Sequence, residues 1–463
     1  MDHFTVSLAE LLGPFRVCFA RPESFAVFEP VVASWILCLR CRTLTEVWQL
    51  TGLGPKMHFD AIYSLFSSAQ WDWDELGVLL CLLILTHLLP SGLVSIVVDD
   101  TLCHKRGKRV AFGGIFLDPV LSTKSRKILR FGVNYVVVAL VLRLPFRPDR
   151  YYAFPVLWRV YRKKGLEGHC KRTQLAAELI RHLASAIPDR SFSLVADSAY
   201  INTAVLSDLP DNVEVLGPLP KKAALYLPPM PKVEGQKGAP RKKGLRLPQP
   251  VQLLEEPKLL QEMANRHAEE FALVSASNPE GWSAREQEMV LPKVSKTLRV
   301  QTLHGVLWYH ACKQKPVTVA LIHDPNGEWR DEVLMSTRVG ATAAEMILEY
   351  GKRWSVELAF HDSKQYLGLE DPEVRTAKSV ERAHPMAWFN LSMVLLWYAL
   401  NREGVEKVKR DRPWYKKTVG DTFTDMLGAL RLWLWRKRLF GEAEDGAVSL
   451  EMVESLLNEM AAV

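Results

Sequence analysis

Two runs, LVSIVVDD at 93–100 and SFSLVADSAY at 191–200, constrain the fold more than any other stretch of the chain. Both are rich in Val, Leu and Ile and bounded by Gly, Ser or Arg, so both read as buried strands. Each closes on an acid, Asp99 with Asp100 in the first and Asp197 in the second. A carboxylate at the exit of a buried strand is costly unless it is paired or holds a cation. The sequence thus predicts a sheet with two acid-tipped strands.

The segments around these runs supply the rest of the sheet. KRVAFGGIFLD at 108–118 and NYVVVALVLRLPF at 134–146 read as further strands, parted by the basic turn STKSRKILRFG. An amphipathic helix is predicted from Arg172 to Ala186, so the order is β-β-β-α-β. Residues 1–90 read as helices at 25–39, 43–49, 58–65 and 74–89. The stretch 42–68 has the short-helix, glycine-turn, helix rhythm of a helix-turn-helix, though a plain helical bundle fits as well. Residues 205–338 read as a β-rich insertion. It opens with GPLPKKAALYLPPMPKVEGQKGAPRKKGLRLPQP, a Pro/Gly-rich loop or mobile arm carrying Lys221, Lys222, Arg241, Lys242, Lys243 and Arg246. Helices at 385–400 and 421–439 follow; the second sets Trp433 and Trp435 beside Arg431, Arg436, Lys437 and Arg438, and reads as core with a basic flank. The predicted divisions are 1–90, 91–204, 205–338, 339–400 and 401–463.

The third constraint is a helix over 342–368, TAAEMILEYGKRWSVELAFHDSKQYLG. Thr342 with Glu345 makes a capping-box pattern, and Gly368 is placed to close the helix. Met346, Ile347, Tyr350, Trp354 and Leu358 recur at helical spacing and predict one apolar face. Arg353 precedes Glu357 by four residues, so the two are neighbours on the surface of a helix. Tyr350 and Lys364 lie seven residues to either side of Glu357, roughly 10 Å each way. Such a row can follow a phosphate backbone while the carboxylate holds a cation.

The spacing Y-x2-R-x3-E-x6-K, the DDT at Asp99 to Thr101 and the DS at Asp197 together resemble the YREK group of bacterial insertion-sequence DDE transposases. The resemblance covers about residues 90–400. It implies an α/β, RNase H-like mixed sheet flanked by helices, with an N-terminal helical domain for DNA binding and a β-rich insertion between the second Asp and the Glu. It implies Asp99, Asp197 and Glu357 as catalytic, metal-holding acids, Asp99 being two residues before Thr101 and Asp100 standing in reserve. The implied cofactor is Mg²⁺, with Mn²⁺ as substitute, in a pair of ions about 3.5–4 Å apart. Tyr350, Arg353 and Lys364 would meet DNA phosphates. The resemblance also puts a base-stacking tryptophan in the insertion: Trp329 in NGEWRDEVL or Trp308 in GVLWYHA, with Trp329 favoured because Trp308 falls mid-strand. The implied partners are double-stranded DNA, as terminal inverted repeats and target, and a second copy of the chain in a synaptic homodimer.

Composition agrees with this class without singling it out. The net charge of +7 suits a polyanionic partner. The seven scattered cysteines make no disulfide framework and suggest a reducing compartment. The N-terminus lacks a charged-then-apolar signal pattern, and the apolar run at 76–89 is too short to span a bilayer, so a cytoplasmic protein is expected. The remaining alternatives are a host nuclease on the same fold and a domesticated DNA-binding protein.

Overall fold

A computed structural model of the chain describes residues 6–405 and 421–440, except 119, 124, 231, 233–236, 278–282, 292–295 and 314. The architecture is mixed α/β, a ten-stranded mixed sheet flanked by helices, in agreement with the RNase H-like layout expected from the sequence. The strands are β1 (Val94–His104), β2 (Gly114–Leu117), β3 (Leu129–Leu144), β4 (Arg147–Val160), β5 (Phe192–Ala196), β6 (Val213–Pro218), β7 (Ser283–Leu291), β8 (Lys296–Leu307), β9 (Pro316–His323) and β10 (Glu332–Ser336). The chain forms two compact units. One comprises Met1–Ser91, Asp100–Cys170 and Ser355–Val463; the other comprises Gly92–Asp99 and Lys171–Trp354.

In the second unit β1 pairs in parallel with β5, and β5 in parallel with β6. Antiparallel pairing then runs from β6 to β10, β9, β8 and β7. The two acid-tipped runs are therefore neighbouring parallel strands, with Val94 opposite Phe192 and Val98 opposite Ala196. Strands buried on both faces need no alternation, which is why the two runs read as continuously apolar. β6 extends the parallel part of the sheet and was not predicted. The stretch expected to be β-rich also contains helices at Pro250–Glu255, Lys258–Arg266 and Ala268–Ser277.

In the first unit β3 carries β2 and β4 as antiparallel neighbours. β4 was missed because RPDRYYAFPVLWRV holds two prolines, which argue against a central strand. The structure resolves the conflict: Leu157 faces Val138 and Pro155 faces Ala139, so the ladder skips a residue beside Pro155. A bulge beside a proline costs less than a lost ladder bond within a regular pair. The core of this unit is built on the helix Met386–Asn401, which is apolar nearly all round, as a buried helix must be. Its Ser392 Oγ donates to Pro155 O at 2.8 Å, the carbonyl next to the bulge. Phe389 meets Phe28 of the helix Pro22–Leu37 at 5.6 Å between ring centres.

The N-terminal helices share this core. Trp35 Nε1 donates to Leu367 O at 2.9 Å, and Arg431 Nε donates to Ile36 O at 2.7 Å. Arg382 is buried among the carbonyls of Leu65, Ala69 and Trp71, with its guanidinium 4.3 Å from the Trp71 ring centre. Burial pulls its pKa down to about 10. The helices Leu44–Gln49 and Asp60–Ser67 are separated by residues 50–59. A helix-turn-helix joins its helices by about three to four residues, so these two make a bundle contact instead. Trp433 packs against Trp397 at 5.7 Å, in keeping with core and a basic flank. No helix among the described residues is long and apolar enough to cross a membrane.

Candidate active site

The stretch 342–368 is not one helix. It is an α-helix at Ala343–Tyr350, a 3₁₀ turn at Gly351–Arg353 and a second α-helix at Trp354–Leu367. The start is as expected: Glu345 N donates to Thr342 Oγ1 and Thr342 N donates to Glu345 Oε2. So is the end, since Gly368 has φ +65°, and a Cβ there would also come within 2.2 Å of Asp371 Oδ2. The middle overturns the predicted apolar face. A 3₁₀ turn advances about 120° per residue instead of 100°, so it shifts the phase of everything after it. Trp354 is consequently 58% exposed, and the buried set becomes Ser355, Val356, Ala359, Phe360, Ser363 and Leu367.

β1 also differs from its prediction. It does not end at Asp99 but runs on to His104, and its burial relaxes at Asp99 and Asp100 and again at His104. Successive side chains of a strand point to opposite faces, so these two acids are separated. Asp99 lies on the same face as Ser95 and Val97, and its Oδ2 is 3.6 Å from Arg353 Nη1. Asp100 instead accepts a hydrogen bond from Asn134 Nδ2 on β3 at 3.1 Å. Asp197 directly follows β5, one position beyond Ala196, and so sits beside Asp99 in the strand register. Its Oδ1 accepts from Ser198 N, and its carbonyl from Tyr200 N at 2.9 Å, which turns the chain away from the sheet.

Tyr350 belongs to the same group. Burial pushes the pKa of its hydroxyl up. Arg353, hydrogen-bonded to it, pulls the pKa down, while Asp197 and Glu332 push it up. The net effect is upward, so near neutral pH Tyr350 remains a neutral hydroxyl, able to donate. Asp99, Asp197, Tyr350 and Arg353 thus all lie within the second unit. Glu357 is half-buried in the first turn of Trp354–Leu367, in the first unit. Lys364, on that helix, donates to Leu102 O at 2.6 Å and pairs with Glu370 at 3.3 Å. Its ammonium is thus committed to protein groups, not held out in solvent.

The basic stretch of the insertion is anchored. Tyr226 and Leu307 exchange backbone hydrogen bonds, and Leu227 N donates to Leu245 O at 2.9 Å. Lys243 Nζ lies 4.3 Å from the Tyr226 ring centre and 5.4 Å from that of Tyr309. Arg241, Lys242, Lys243 and Arg246 are exposed around this ribbon. Neutralising Arg241, Lys242 and Arg246 together is expected to flatten the slope of log affinity for DNA against log salt by about 2 to 3. An unchanged slope in a filter-binding or anisotropy titration would leave these residues as solvated surface.

The two tryptophan candidates separate. Trp308 is buried, and Trp329 is 44% exposed in the turn between β9 and β10. Asp324, itself buried, accepts from Asn326 N through one carboxylate oxygen and from Trp329 N at 2.8 Å through the other. His323 Nδ1 and Asp331 Oδ1 close the base of the turn at 2.9 Å.

Among the described residues no three His, Cys, Asp or Glu side chains converge on a space for a metal. Mg²⁺, however, is commonly held through one or two carboxylates, with water and substrate oxygens completing its shell. Asp99 and Asp197, each one residue beyond the paired Val98 and Ala196, are hard carboxylates of the kind that suit it, and Asp99 already has one cationic neighbour.

The sequence pattern of the family described as DDE superfamily endonuclease matches residues 14–281. The chain belongs to that family. No curated protein matches it. DDE superfamily endonucleases are DNA nucleases that generally use divalent metals. The matched stretch takes in Asp99 and Asp197 and stops before the helix of Glu357.

Proposed function

We propose that this DDE endonuclease is an insertion-sequence transposase of the YREK type, cutting the ends of its element and joining them to a target. The observation that carries the reading is the pairing of β1 with β5, since Val98 opposite Ala196 sets Asp99 and Asp197 side by side. In this reading Asp99 and Asp197, with Glu357 as the third acid, would hold two Mg²⁺ ions, which would supply activation of a water or 3′-hydroxyl and stabilisation of the leaving oxygen in an in-line displacement. Arg353 would take a phosphate next to the scissile one, and Tyr350, kept neutral, would donate a hydrogen bond to another. Lys364 would reach a phosphate only by leaving Leu102 O and Glu370, its partners in the free protein. Trp329, exposed on a turn braced by Asp324, serves as the stacking platform for a base displaced from the duplex.

The protein is proposed to bind terminal inverted repeats and to act as a homodimer on two paired ends. The test is cleavage of DNA flanking its own gene. With Mg²⁺, the purified protein should cut a substrate bearing both flanks at the repeat ends, and join the freed 3′ ends to a target plasmid. Equal cutting of a single flank, with no joined product, would instead identify a host nuclease on this fold.

A further inference from the structure

We propose that Glu349 and Lys352 form a positioning clamp on Ser95 and Ser193, one that fixes where Arg353 and Tyr350 stand over Asp99 and Asp197; the proposal rests on those two aspartates being the catalytic acids. Lys352 Nζ donates to Ser95 Oγ at 2.8 Å and to Glu349 Oε1 at 3.1 Å. Glu349 Oε1 also accepts from Ser193 Oγ at 3.0 Å. The two serines are direct partners in the β1–β5 register. The four side chains thus form one chain of polar contacts, Ser95 to Lys352 to Glu349 to Ser193, tying the end of Ala343–Tyr350 and the 3₁₀ turn to two strands.

The register says what this contact sets. Ser95, Val97 and Asp99 share one face of β1, and Ser193 and Val195 share a face of β5 that continues to Asp197. The serines are thus on the same side of the sheet as the two aspartates, roughly 13 Å upstream at about 3.3 Å per residue. Glu349 and Lys352 bracket Tyr350, and Lys352 is bonded to Arg353. A rotation of the turn that broke the serine contacts would swing the Arg353 guanidinium and the Tyr350 hydroxyl with it.

The clamp residues are also placed where an ordinary surface pair would not be. The side chains of Lys352 and Glu349 are only 18% and 14% exposed, and Ser95 and Ser193 are 7% and 4% exposed. An ion pair so withdrawn from water adds little to stability, because desolvation offsets most of the attraction. A 3₁₀ turn inside a helix is itself a poorly determined element. Geometry is therefore the property such a pair is suited to supply, with one anchor on each acid-bearing strand.

The test compares Glu349→Gln/Lys352→Met and Ser95→Ala/Ser193→Ala with the unsubstituted protein. Each preparation is assayed for melting temperature, DNA affinity and single-turnover nicking with Mg²⁺, and carries 3-fluorotyrosine at position 350 for ¹⁹F NMR. The charge-free pair should melt no lower than the wild type, since neither partner is left alone. Both variants should retain DNA binding to within a few fold, nick it about tenfold or more slowly, and shift or broaden the position-350 resonance. A wild-type nicking rate with an unmoved resonance overturns the proposal. So does a loss of rate that merely tracks a loss of melting temperature. If the unsubstituted protein nicks no DNA, the catalytic reading fails, and the resonance alone decides the clamp.

Discussion

Alanine at Asp99, Asp197 or Glu357 is expected to abolish cleavage of element-end DNA while leaving binding of that DNA intact. The loss should be at least about 10³-fold, since charge stabilisation of the reacting oxygens is worth several kcal/mol and each 1.36 kcal/mol is about tenfold. Binding should persist because affinity for a duplex comes mainly from cations on phosphates, and these three acids carry no positive charge. Asp100→Ala is the internal comparison. Asp100 is adjacent in sequence but turned to the other face, where it meets Asn134. Its loss should therefore cost stability more than rate. Gel shifts and nicking assays on the same preparations separate the two effects. A folded Asp99→Ala protein that cuts at full rate, beside an Asp100→Ala protein that does not, would exchange their roles. Full cleavage by Glu357→Ala would remove the third acid and, with it, the YREK assignment.

The parts of this site that could be read in the sequence were those carried by uninterrupted local signals. VSIVV and FSLVA are strands because their side chains are nearly all apolar, and the structure pairs them in parallel. Thr342 and Gly368 mark the limits of the signature segment by chemistry that acts over three or four residues. Features settled by distant partners were not legible. The break at Gly351–Arg353 has no proline to announce it, and the sequence carries the apolar spacing straight across it, although the structure leaves Trp354 exposed. Glu349 and Lys352 look like any i, i+3 surface pair until Ser95 and Ser193 are placed beneath them. β4 was hidden by Pro155, whose cost is met by a bulge that only the partner strand reveals. The helix Lys258–Arg266 lies in a stretch expected to be β-rich, although Leu259, Leu260 and Met263 carry a helical period.

Trp329→Ala is expected to leave the first nick near its normal rate and to slow whatever step follows it by roughly fivefold to 150-fold. That range follows from stacking worth about 1–3 kcal/mol per base. Under the proposed reading that step is the attack of the freed 3′-hydroxyl on the opposite strand, which would close a hairpin. Closing a tight hairpin forces a base out of the stack, and the displaced base needs a flat surface to rest on. Trp329 is fitted for this by its support as much as by its exposure. A mobile turn would lose backbone freedom on stacking and give back part of the gain. Here the backbone of Trp329 is bonded to the buried carboxylate of Asp324, and the turn is closed below by His323 and Asp331. Asp324→Ala should therefore reproduce much of the Trp329→Ala defect without removing the ring. An abasic nucleotide at the displaced position should partly restore closure in either variant, since less stacking has to be broken. Trp308→Ala should behave differently: that ring is buried, and its loss should lower stability by about 3–5 kcal/mol without singling out the second step. Hairpins formed at the wild-type rate by Trp329→Ala, or no hairpin from the unsubstituted protein, would dismiss the platform and leave the acids untouched.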